Sequence, residues 1–192
     1  MEALLAAELP ESEGWQFEPK WDGFRCLARR DGGEVTLTSK SGKPLGRYFP
    51  DVVAMLEGLN ERQFLLDGEL IIPVGDALSF DALQLRLHPA ESRVRKLVAE
   101  HPAELMLFDI IELGGKDLTS EPLAERRSTL EKFYAKNQVA GLHLSPVTHD
   151  RATAVRWLER SGGALDGVIA KRTTQEYRSG SAAFSGSISS GK

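Results

Sequence analysis

Strand-forming residues come in clusters in this chain, with helical stretches between the clusters rather than in strict strand–helix alternation. Strict alternation would demand a doubly wound parallel sheet, whereas clustered strands favour an α+β fold with mostly antiparallel sheets. Residues 15–19 and 24–28 read as strands, Asp31-Gly32-Gly33 as a turn, and 34–38 as the hairpin partner. A polar loop follows over 39–44, and Asp51 is placed to cap a helix through Leu59 with Val52, Met55, Leu56 and Leu59 on one face. Residues 64–72 read as a strand, Ser79 as the cap of a short helix, 91–100 as a basic surface helix, and 105–113 as a strongly apolar strand. Ser120-Glu121-Pro122 opens a helix to about 136, followed by a strand over 142–147, a helix over 150–161 and a strand over 166–171.

With 192 residues the chain is long enough for one domain with its own core. The apolar runs Phe64-Leu65-Leu66 and Leu70-Ile71-Ile72-Pro73-Val74 are far too short to span a bilayer, and no charged-then-apolar leader opens the chain, so a cytoplasmic protein with no membrane partner is expected. A single cysteine, Cys26, excludes a disulfide framework and a cysteine-based zinc site. His88, His101, His143 and His149 fall at no zinc-ligand spacing. The net charge of −4 argues against a surface that grips nucleic acid all over, yet leaves room for a local basic cleft. Lys20, Arg25, Arg29, Arg30, Lys40, Lys43 and Arg47 bunch in one part of the chain, either as a solvated face or as such a cleft. The packed domain is expected to span 1–178. Residues 179–192, with six serines and three glycines, cannot bury a face and are expected to be a mobile tail, a linker or an appended segment.

Asp-Gly occurs four times, at 22–23, 31–32, 67–68 and 166–167. Chance would give roughly one, and hairpin-turn chemistry is the first explanation. Three of the four also stand beside strand residues and an ionisable group: Lys20-Trp21-Asp22-Gly23, Asp67-Gly68-Glu69, and Asp166-Gly167-Val168-Ile169-Ala170-Lys171.

In context these segments resemble the motifs of the covalent nucleotidyltransferases, the superfamily of ATP-dependent DNA ligases, RNA ligases and mRNA capping enzymes. Lys20-Trp21-Asp22-Gly23-Phe24-Arg25 is similar to the lysine motif K-x-D-G-x-R, and Thr38-Ser39-Lys40-Ser41-Gly42 to the motif that follows it. Asp67-Gly68-Glu69 is similar to D-G-E, Leu107-Phe108-Asp109 to the aromatic motif, and Asp166 to Lys171 to E-G-x-x-x-K with Asp in place of Glu. The wording around the lysine, with Gly42-Lys43-Pro44-Leu45-Gly46-Arg47-Tyr48-Phe49-Pro50, resembles the small bacterial DNA ligases of the ligase C and ligase D type.

The resemblance implies an ATP-grasp-like α+β nucleotidyltransferase domain, two antiparallel sheets with flanking helices around an ATP cleft. It implies that the Lys20 amine attacks the α-phosphate of ATP, leaving AMP covalently on the lysine. A free lysine titrates near ~10.4, so the amine needs neighbouring cations or a divalent metal, Mg2+ or Mn2+, to become a nucleophile. Carried over by position, Glu18 and the Trp21 backbone lie at the adenine edge, and Phe108 stacks on the ring. Arg25 reaches the ribose or the 3′ side of a DNA break, and Lys40 meets ribose or phosphate. Glu69 holds the ribose hydroxyl and helps with metal, Asp166 supplies the metal-binding carboxylate, and Lys171 contacts the α-phosphate. The residues by themselves also admit plainer roles: Phe108 as a core aromatic, Glu69 as an exposed strand residue, Lys171 with Arg172 as a solvated strand end.

The implied partner is nicked double-stranded DNA, with a Ku-type end-joining protein as a further one and the chain a nucleoid-associated monomer. Three departures from the family pattern stand out: Lys40 where arginine is usual, Asp166 one methylene shorter than glutamate, and no K-x-K pair after Tyr177. The family's C-terminal OB-fold domain is not in this sequence. An RNA ligase, a capping-type guanylyltransferase, or a non-covalent nucleotide-binding module are the alternative readings.

Overall fold

A computed structural model describes residues 4–5, 9–159, 165–178 and 186–188. In chain order the strands are β1 (Leu4–Leu5), β2 (Trp15–Trp21), β3 (Phe24–Asp31), β4 (Glu34–Ser39), β5 (Gln63–Ile71), β6 (Pro73–Val74), β7 (Ala77–Leu78), β8 (Glu104–Leu113), β9 (Lys116–Asp117), β10 (Leu142–Leu144), β11 (Leu165–Arg172) and β12 (Gly186–Ile188). The helices are α1 (Pro50–Glu57), α2 (Phe80–Arg86), α3 (Glu91–Glu100), α4 (Leu123–Lys136) and α5 (Arg151–Glu159), with a 3₁₀ turn over Gly46–Tyr48.

Two sheets carry the fold. The smaller runs β1-β12-β11-β2, and the larger runs β10-β8-β5-β3-β4 with β9 on β8; β6 and β7 form a separate hairpin. Most pairs are antiparallel, as expected, but β10 lies parallel to β8. That departure follows from connectivity: β8 returns to β10 through helix α4, and a helical crossover delivers the next strand parallel. β1 and β12 are also a parallel pair. Gly186–Ile188, inside the stretch expected to be tail, pair with β11 and β1 through their backbones, which needs no apolar side chains. Residues 179–185 and 189–192 lie outside the described residues.

The core is divided in the same way. A large cluster joins the bigger sheet to its helices through Phe49, Leu56, Phe64, Leu66, Leu105 and Leu130. A small one joins β2 and β11 to α5 through Leu9, Trp15, Phe17, Ala154, Val168 and Ala170, with Trp157 packed at its margin. β2 belongs to one sheet and β3 to the other, and only Asp22 and Gly23 separate them. The chain therefore crosses between sheets at the lysine motif.

Some boundaries moved for local reasons. Asp51 does not cap α1: Phe49 is the N-cap and Pro50 begins the helix. The Asp51 carboxylate is taken instead by wholly buried Arg86, at 2.7 and 3.3 Å, and by the amide of Ala103 at 2.7 Å. Ser79 does cap α2, accepting from the Ala82 amide at 3.1 Å. α4 starts at Leu123 with Pro122 as its N-cap. β10 stops at Leu144, two residues before Pro146, which has no N–H to donate to a ladder.

Candidate active site

Alternation along β2 puts Gln16, Glu18 and Lys20 on one face and Trp15 and Phe17 on the other, inside the small core. Opposite them on β11, Gly167 pairs with Lys20, Ile169 with Glu18 and Lys171 with Gln16. The register slips between Leu165 and Gly167, so Asp166 is the extra residue of a β-bulge. Gly167 sits at φ 144°, a conformation that a side chain would resist. Bulges re-aim side chains, and here Asp166 Oδ2 stands 3.2 Å from Lys20 Nζ, with both groups partly open to solvent. One step along the face, buried Glu18 accepts from Lys171 Nζ at 2.6 Å on one oxygen and from Gln16 Nε2 at 2.7 Å on the other.

The larger sheet supplies the facing wall. β3 and β5 pair with Arg25 opposite Glu69 and Leu27 opposite Asp67. β5 and β8 slip register between Asp67 and Gly68, whose partners are Asp109 and Leu107, so Phe108 is again the extra residue of a bulge. Its half-buried ring receives the Lys171 ammonium 5.0 Å from the centroid and the Arg25 guanidinium at 5.6 Å. Arg25 also grips Asp67 with two N–H groups, at 3.0 and 2.6 Å. Burial pulls the Arg25 pKa down, but Asp67 outweighs it and the value rises. Burial pushes the Glu69 carboxyl up to about 8, with Arg25 opposing and Asp67 and Asp22 adding to the rise.

Glu18, Lys20, Asp166, Lys171 and Phe108 thus come together where the two sheets meet, with Arg25 and Glu69 adjoining. The Trp21 indole leaves this face and donates to Ser145 Oγ at 2.9 Å. Lys40 stands apart, in a cleft of about 970 Å³ that it shares with Arg25, Lys43, Arg47, Tyr48 and Leu87. Arg25 is the sequence-predicted site residue that links the two places.

Sequence reasoning missed Asp22 as a site group. Burial raises its pKa, Asp166 raises it further and Lys20 lowers it, which ties it to both partners of the lysine pair. It also gave no role to Asp67, Asp109 and Tyr177, which it met only as parts of motifs, and it passed over Arg126. The usable signal was a carboxylate inside an apolar strand, as in Leu66-Asp67 and Phe108-Asp109, because a buried carboxylate must find donors.

Among the described residues no three His, Cys, Asp or Glu converge as a ready-made metal cage. Mg2+ is usually held by one or two carboxylates plus substrate phosphates rather than by an all-protein cage. The all-oxygen set of Glu69 and Asp166, with Asp22 electrostatically coupled to each, fits such a cation. Among the described residues no helix is long and apolar enough to cross a membrane.

Comparison with known proteins supplies the context. Residues 5–184 match the family model described as "ATP dependent DNA ligase domain". The chain is 48% identical over 169 residues to DNA ligase C2 of Mycolicibacterium smegmatis, covering 86% of this chain and 47% of that protein. It is 45% identical over 159 residues to DNA ligase C of Mycobacterium tuberculosis, covering 81% and 44%. The chain spans about half the length of these curated relatives. A solved structure of mycobacterial DNA ligase D complexed with ATP and MES superposes with a TM-score of 0.73 at 26% identity, covering 98% of this chain and 60% of that one.

Proposed function

The chain belongs to the ATP-dependent DNA ligase family, and from that premise we propose that residues 1–178 are the adenylating domain of a DNA ligase. The Lys20 amine attacks the α-phosphorus of ATP. An N–P bond forms, the bond to pyrophosphate breaks, and the amine loses a proton. The lysyl-AMP intermediate divides a difficult condensation into easier steps. In the complete enzyme the AMP then passes to the 5′-phosphate of a nick, and the 3′-hydroxyl displaces AMP to seal the strand.

The observation that carries this reading is the Lys20–Asp166 pair beside Glu18–Lys171, at 3.2 and 2.6 Å. Both lysines are charge-compensated and positioned before a phosphate arrives. Phe108 offers a flat face for adenine, with Glu18 and the Trp21 backbone at the ring edge. Lys171 turns to the α-phosphate, and Glu69 holds the ribose hydroxyl. A bound divalent cation supplies neutralisation of phosphate charge, held by Asp166 and Glu69 through oxygen.

Duplex DNA is favoured as the second substrate by the neighbouring cleft. Among the described residues its lining includes Arg25, Lys40, Lys43 and Arg47 and no carboxylate, in a chain of net charge −4. We place the enzyme in the cytoplasm on the nucleoid, as a monomer in DNA repair with a Ku-type partner.

Incubation with labelled ATP and magnesium should leave acid-labile label on Lys20, add one adenylate to the intact mass, and fail in Lys20→Ala. Saturable ATP binding without any adduct would overturn the covalent reading. GTP labelling in preference to ATP, or sealing confined to RNA ends, would overturn the substrate.

A further inference from the structure

We infer that the hydroxyl of Tyr177 is a positioning group for Arg25, acting through the carboxylate of Asp67. The inference rests on the reading above that Arg25 serves the nucleotide or the nick.

Asp67 is wholly buried in the middle of β5. A carboxylate there is tolerated only when its oxygens are met by donors. Oδ1 accepts from Arg25 Nε at 3.0 Å, and Oδ2 accepts from Arg25 Nη2 at 2.6 Å and from the Tyr177 hydroxyl at 2.9 Å. The two Arg25 bonds fix the plane of the guanidinium. The tyrosine bond fixes the carboxylate that sets this plane.

Tyr177 arrives from far along the chain, on the segment that leaves β11. Its amide donates to the Thr119 carbonyl at 2.8 Å. Its ring lies against the guanidinium of Arg126, 5.6 Å from the ring centroid. Arg126 is itself wholly buried and grips Asp109, the residue after Phe108, with two bonds of 2.9 and 3.0 Å. One side chain therefore touches two Arg–Asp pairs: one ends on Arg25, the other beside the Phe108 bulge. The ring alone would satisfy packing on Arg126; only the hydroxyl reaches Asp67. Arg25 in turn is the residue shared by the Phe108 face and the basic cleft, so its orientation affects both.

Tyr177→Phe keeps the ring and removes the donor. The first measurement is the rate of phenylglyoxal modification of Arg25, mapped by peptide mass, with exposed Arg93 on α3 as internal reference. Arg25 should react roughly 10- to 100-fold faster in Tyr177→Phe, the range that one charge-assisted hydrogen bond commands, with Arg93 unchanged. The second is the ATP dependence of lysyl-AMP formation: KM should rise in Tyr177→Phe, and Arg25→Lys/Tyr177→Phe should be no worse than Arg25→Lys alone. An Arg25 labelling rate equal to wild type would overturn the inference, as would additive losses in the double variant. Absence of any lysyl-AMP in the wild-type chain would instead sink the proposed function, and the labelling would still decide the role of Tyr177.

Discussion

Lys171 Nζ stands 2.6 Å from Glu18 Oε2, with both side chains almost fully removed from water. Removing one member leaves a buried charge without its counter-ion, which costs about 3–5 kcal/mol. Lys171→Met should therefore lower the free energy of unfolding by that amount in urea titrations. Glu18→Gln/Lys171→Met should recover most of the loss, because an uncharged pair needs no compensation. Neither variant should form lysyl-AMP at the wild-type rate, so stability and activity separate in the double variant.

Glu69 gives the fold a pH dependence. Its carboxyl is raised from an ordinary value of 4.5 to about 8, first by burial. Below about 4.5 the group is protonated in both folded and unfolded chains, and its contribution is at its most favourable. As pH climbs toward about 8 the unfolded chain releases the proton and the folded chain retains it, so stability falls. Above about 8 the loss is complete. Glu69→Gln should flatten this limb between about pH 4.5 and 8 when unfolding is measured in pH steps, and should leave the variant the more stable protein at pH 8.

Two glycines next to aspartates should answer to substitution for different reasons. A Cβ on Gly68 would lie 2.7 Å from the Met106 carbonyl oxygen on the neighbouring strand. Backbone cannot swing aside as a side-chain tip does, so Gly68→Ala should cost about 1–3 kcal/mol by overpacking. Gly32 has nothing within 4 Å of its Cβ position but adopts φ +60°. Gly32→Ala should cost only about 1 kcal/mol, the penalty for a left-handed residue. Thermal melts of the two variants side by side check the order.

That contrast also marks what could be read from residues alone. Of the four Asp-Gly pairs, only 31–32 makes a hairpin turn, between β3 and β4. The pair at 22–23 crosses between sheets, and the other two sit inside β5 and β11. A turn preference lies in the local backbone and shows in a dipeptide. Close approach by another strand does not, because Leu70 and Met106, the residues that crowd Gly23 and Gly68, are distant in sequence. The same divide runs through the site. Lys20, Glu18, Asp166 and Lys171 were legible because the segments that carry them resemble, in order, the motifs of a known family. The bulges that aim Asp166 and Phe108, and the Tyr177 bond to Asp67, depend on register across strands, which no single stretch of sequence records.

Lys43 offers a test of the basic cleft that spares the lysine pair. It is exposed and lines the cleft with Lys40 and Arg47, while Arg47 is anchored by donating to the Pro89 carbonyl at 2.8 Å. If the cleft holds a DNA backbone, each cation on a phosphate releases condensed counterions, and the slope of log K against log salt grows by about 0.9 per contact on duplex DNA. Lys43→Ala should weaken binding to nicked duplex evenly across sequences and reduce that slope by about 1. Its melting temperature should not change, since an exposed lysine contributes little to the fold. Lysyl-AMP formation should persist as well, because Lys43 lies outside the Lys20 face. A slope identical to wild type, measured by fluorescence anisotropy from low to physiological salt, would move the DNA path off this cleft and leave the nucleotide chemistry of Lys20 untouched.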